Sequence, residues 1–99
     1  MPVYVIMGGV RRAVAALKAG RHDIPAVIHN SGQPSVVTRV ALADLLSTKD
    51  IVLRDWRYIT RTEYPTVVLG TEPPPIEVQP LGVPGQSKKL TPLAQVQLV

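Results

Sequence analysis

Apolar positions along this chain come in short runs that break at glycine, proline or charged turns. Val3 to Met7 is such a run, stopped by Gly8-Gly9, the pattern of a buried strand closed by a turn. Val10, Ala13, Val14 and Leu17 then recur at helical spacing within residues 10–19, among good helix formers that end at Gly20. Arg11 and Arg12 lie off that stripe in the first turn, where positive charge opposes the helix dipole, whereas Lys18 complements it at the other end. An anionic or acidic neighbour would relieve the mismatch at the two arginines.

Arg21-His22-Asp23 reads as a polar turn, and residues 24–29 as a second strand with Pro25 near its start, a position suited to a sheet edge. Asn30-Ser31-Gly32-Gln33-Pro34 carries strong turn chemistry, after which Ser35 is placed to cap a helix. Residues 36–47 are apolar around most of a helical circumference, interrupted by Thr38, Arg39 and Asp44, which predicts a helix buried on more than one side. Residues 51–61 alternate as the longest strand, with either face able to point inward. A hairpin connection leads from there to a strand at 66–70, closed by Gly70.

Beyond Gly70 the periodicity is lost. Six of the ten prolines lie between Glu72 and Val99, and Pro73-Pro74-Pro75 favours extended polyproline backbone. Alternation returns at Leu93 to Val99, a candidate terminal strand. The pattern as a whole predicts an α+β fold. A small sheet of about four strands (near 3–7, 24–29, 51–61 and 66–70) is packed by two helices (near 10–19 and 36–47). The compact core is residues 1–70, and residues 71–99 form an extended proline-rich arm.

Composition thins the expected core. Ninety-nine residues allow one domain, and the apolar content is aliphatic: no Phe, one Trp, three Tyr. The absence of cysteine removes disulfide staples and thiolate metal sites. A small unstapled core favours support from neighbours. No run of about 18 apolar residues is present, and Met1-Pro2-Val3-Tyr4 lacks the basic and apolar regions of a secretory signal. A cytoplasmic location, or incorporation in a particle assembled there, is expected.

Net charge is +4, and the surplus lies in residues 1–70, with nine Lys/Arg against five Asp/Glu. That suits an acidic partner or nucleic acid, although it is also an ordinary solubility charge. Within Arg54 to Arg61, the residues Arg54, Trp56, Arg57, Tyr58 and Arg61 interleave cations with aromatic rings, as single-strand binders do. A lone Trp in a Phe-free chain equally suits a core or protein interface.

Catalytic signals are sparse. Gly8-Gly9 lacks the spacing of a phosphate or dinucleotide loop. His22-Asp23 and His29 offer too few ligands for a metal, and Ser31 and Ser35 near His29 have no evident orienting acid. No catalytic residue, cofactor, metal, membrane span or small-molecule substrate is expected.

The arm is different: it is neutral yet apolar, so its hydrophobic residues must be covered by the chain's own sheet or by a neighbouring subunit. Pro73, Pro74, Pro75, Ile76, Val78, Leu93, Val96 and Leu98 are the candidate partner-binding residues, by strand addition to an exposed edge. The expected function is a non-enzymatic structural subunit of a larger assembly, concretely a viral particle component (capsid, head–tail or tail). The alternative is a small basic nucleic-acid-binding or regulatory domain.

Overall fold

The structure, a computed structural model, describes residues 3–48, 52–53, 74–86 and 89–98. Strand β1 (Tyr4–Gly8) leads through Gly9 into helix α1 (Val10–Lys18), followed by β2 (Asp23–Ile28) and β3 (Val36–Ala41). A 3-10 turn at Leu42–Asp44 passes to β4 (Leu45–Thr48) and a short β5 (Val52–Leu53). Strand β6 (Ile76–Pro80), β7 (Leu90–Pro92), a 3-10 turn at Leu93–Gln95 and β8 (Gln97–Leu98) complete the described chain. Six strands form one mixed sheet in the order β3-β2-β6-β1-β4-β7, and β5 pairs with β8 in a separate parallel ribbon. The fold is α+β, with one α-helix and more strands among the described residues than the periodicity predicts.

Two expected elements stand close to where the periodicity puts them: the strand near 3–7 and the helix near 10–19. The strand near 24–29 is β2, and of the strand near 51–61 only Val52–Leu53 is described. The 66–70 strand lies outside the described residues.

The second helix is a correction. Residues 36–41 form β3, paired antiparallel with β2 in unbroken register from Asp23↔Ala41 to Ile28↔Val36. Val36, Val37, Thr38 and Val40 are β-branched, which stiffens them against a helix and suits a pleated surface. The Asn30–Pro34 turn, with Gly32 at φ 77°, folds the chain back on β2 instead of starting a helix.

The larger correction concerns residues 71–99. Strand β6 lies inside the sheet, parallel to β2 on one side and antiparallel to β1 on the other. Ile76 and Val78 are completely buried with Ile6, Ala13, Val14, Ile24, Ala26 and Leu45 in the core beneath α1. Leu93 is buried in the same cluster and Val96 packs against it. In place of a separable arm, this segment supplies the middle of the sheet. Ile76, Val78 and Leu93 are covered by the chain itself, whereas Leu81 stays exposed.

Local chemistry explains the entry of β6. Arg12 Nη1 donates to the carbonyls of Pro74 (2.6 Å) and Pro75 (3.2 Å), so the cation that opposes the helix dipole clamps the segment leading into β6. Pro25 fits an interior strand for a related reason. The His29 N–H points to β6, donating to the Val78 carbonyl (2.9 Å). Alternate residues of a strand share that direction, so the missing N–H of Pro25 faces the same side. Pairing with β6 begins only at Ala26↔Ile76, beyond Pro25, and no ladder bond is lost.

Candidate functional site

The face of the sheet opposite α1 carries Pro25 and Val27 of β2, Glu77 and Gln79 of β6, and Val37 and Arg39 of β3, the alternate residues to those in the core. His29, at the end of β2, joins three neighbouring strands on this face. Its Nδ1 lies 3.0 Å from Ser35 Oγ and its Nε2 3.3 Å from Glu77 Oε1. Beside it, a polar cleft of about 230 Å³ is walled by Asn30, Ser31, Gln33, Gln79 and Val83.

Sequence reasoning placed Ser35 as a helix cap and left His29 without an acid. The structure makes Ser35 a hairpin residue and supplies Glu77, 48 positions away, as the carboxylate. When Glu77 accepts the Nε2–H, Nδ1 accepts from the Ser35 hydroxyl, the order of a nucleophile, base and acid. All three side chains are exposed, with His29 and Glu77 40% and 59% accessible. Water therefore competes for each bond, and the carboxylate acts in a high-dielectric setting. The trio ties the turn end of the β2–β3 hairpin to β6.

A second tie sits at the other end of β3. Arg39 donates from Nε (3.0 Å) and Nη2 (2.6 Å) to Asp23 Oδ1. These hydrogen bonds are the main reason the Asp23 carboxyl ionises below its ordinary value of 3.8. A lowered native pKa means the pair's stabilisation is present above the unfolded value near 3.8 and is lost as pH falls through the native one. Arg39→Gln is expected to bring the Asp23 titration, followed by carboxyl-carbon NMR, back toward 3.8. An unchanged titration would remove Arg39 as the cause.

Between its two ties β3 is bare. Val36 and Val37 are 54% and 65% exposed, Thr38 is also exposed, and β3 is an edge of the sheet among the described residues. Edge strands are usually guarded by an unpaired charge, a proline or a bulge. Here Arg39 is engaged by Asp23, and pairing with β2 runs without a bulge. The result is a strand tied near both ends, with Val36 and Val37 exposed and one side unpaired among the described residues.

The partner-binding residues expected from the sequence are distributed differently. Pro74 and Pro75 are exposed and hold Arg12 through their carbonyls, while Ile76, Val78 and Leu93 are buried in the core. Val96 is half-buried, Leu98 belongs to β8, and Pro73 lies outside the described residues. Arg54, Trp56, Arg57, Tyr58 and Arg61 also lie outside them. His22 and Asp23 do not converge with His29: the His22 carbonyl accepts from the Leu42 N–H, and Asp23 is held by Arg39. No helix among the described residues is long and apolar enough to cross a membrane.

The signal that would have found the β3 edge was available as a run of β-branched residues behind a glycine turn. The His29–Glu77 contact had no local signal. Comparison with family models, curated proteins and solved structures finds no match to this chain.

Proposed function

We propose that this chain is a non-enzymatic structural subunit of a larger protein assembly and that it docks on a second copy of itself through β3. The observation that carries the reading is the exposed Val36-Val37 pair on a strand held straight at both ends. Ordering costs at such an edge are already met within the monomer, so strand addition loses little entropy on binding. A two-fold axis through Val37 sets Val37 against its copy and Arg39 against Ser35, with no like charges opposed. The concrete setting we propose is a viral particle, as a capsid, head–tail or tail component. In a closed shell or ring, every subunit has neighbours against which an edge strand can be covered. The expected docking site thus moves from the C-terminal segment to the β2–β3 hairpin.

Light scattering coupled to size exclusion, over a concentration series, tests this. The full chain is expected to associate. Val37→Lys places two like charges at the proposed axis and is expected to weaken association at least about tenfold, with the circular dichroism spectrum and melting midpoint unchanged. A chain that stays monomeric throughout the series, or an association indifferent to Val37→Lys, would overturn the β3 interface.

A further inference from the structure

Ser35 presents an exposed hydroxyl to a base. Its Oγ lies 3.0 Å from His29 Nδ1, and His29 Nε2 lies 3.3 Å from Glu77 Oε1. With Glu77 accepting the Nε2–H, the lone pair on Nδ1 points at the Ser35 hydroxyl and can take its proton. A neutral imidazole has one such lone pair. Ser31 borders the same cleft, but Nδ1 is directed at Ser35.

The cleft gives an electrophile somewhere to sit. An apolar cavity of roughly 150 Å³ accommodates benzene, so the space of about 230 Å³ beside His29 and Ser35 admits a short acyl group. Asn30, Gln33 and Gln79 border it with carboxamides, the kind of donor that stabilises charge developing on a carbonyl oxygen.

We propose that Ser35 is a site of covalent modification, taking a short acyl group from an activated ester. Ser35 Oγ bonds to the acyl carbon while its proton passes to His29 Nδ1. The bond from that carbon to the leaving oxygen then breaks, with its electron pair on the oxygen. The leaving oxygen takes the proton from His29, and the ring returns to its neutral form. The reaction stops there for a physical reason. An activated ester carries a good leaving group and needs little help, whereas the serine ester that forms has a poor one. Side chains this exposed act in high dielectric and do not lower the second barrier. One acyl group per chain is a stoichiometric modification, compatible with a non-enzymatic subunit. It needs only side chains of a single copy and does not depend on the docking reading.

The test treats the full chain with 4-nitrophenyl acetate and follows tryptic peptide 22–39 by mass spectrometry. That peptide contains Ser31, Ser35 and Thr38 and has no lysine to compete for the acetyl group. Ser35 is expected to be acetylated at least about tenfold faster than Ser31, the low end of what a positioned base supplies. Ser35→Ala should leave the peptide unmodified. His29→Gln, which keeps a polar side chain but offers no imidazole, should slow acetylation of Ser35 at least about tenfold. Equal rates at Ser31 and Ser35 in the unaltered chain, or no acetyl group on the peptide, would overturn the proposal without any need for a variant. Nitrophenol release continuing past one equivalent with Ser35 left unmodified would overturn it as well.

Discussion

Truncation after Gly70 is expected to leave a chain that does not fold, with the poor amide dispersion of an unfolded polypeptide in its NMR spectrum. The cut removes β6 and with it every ladder hydrogen bond that joins β2 to β1. Among the described residues, what remains is the β2–β3 hairpin and the short β1–β4 pairing with no strand between them, and isolated strand pairs are marginal in water. A graded version keeps the chain complete. Ile76 is fully buried between the sheet and α1, so Ile76→Ala is expected to cost about 2–5 kcal/mol. That is a large part of the roughly 5–15 kcal/mol that stabilises a domain. Chemical denaturation measures it directly. A dispersed spectrum from the truncated chain, together with a loss under about 1 kcal/mol for Ile76→Ala, would mean that residues 1–70 fold without β6.

Gly9→Ala is the second large effect, and Gly82→Ala is its matched control. Both glycines hold φ at 97°, in the left-handed region that side chains disfavour. At Gly82 an added Cβ meets nothing within 4 Å, whereas at Gly9 it falls 2.6 Å from Ile76 Cγ2 and 3.0 Å from Ile76 Cβ. The control carries only the backbone cost, about 1–2 kcal/mol. Gly9→Ala adds the displacement of a buried central-strand side chain, for a total of about 2–5 kcal/mol. Equal destabilisation of the two variants would show that β6 yields at Ile76. The glycine at position 9, which lacks the spacing of a phosphate loop, is explained by this approach: the chain enters α1 by passing directly over β6.

Both expectations turn on a segment that sequence reasoning set apart from the core. Prolines at 73, 74, 75, 80, 84 and 92 signal extended backbone without saying what lies beside it. The alternation of Ile76, Glu77 and Val78 is too short to declare a strand against the prolines around it. Yet Ile76 and Val78 are among the most buried residues of the sheet. The helix expected at 36–47 failed for the opposite reason. Its apolar content suits an all-round buried helix, but the β-branched residues and the preceding glycine turn favour a hairpin that leaves Val36 and Val37 exposed.

The candidate site was visible in part. His29 and Ser35 were singled out together because they are close in sequence, and a two-strand hairpin with a glycine turn brings them into contact. Glu77 could not be added by pattern, since its place depends on β6 entering between β2 and β1.

Local pattern by itself determined β1, α1 and β2, the mixed α+β class, and the aliphatic, cysteine-free core. Each of these depends on residues within one or two turns of the chain, where propensity and periodicity act. Tertiary structure decided the strand order, the interior place of β6, the exposure of β3 and the partners of Arg12 and His29. These rest on pairings between residues tens of positions apart, whose hydrogen bonds are satisfied equally well, residue by residue, by several neighbours. Only the burial of one complete apolar face under α1 selects among them.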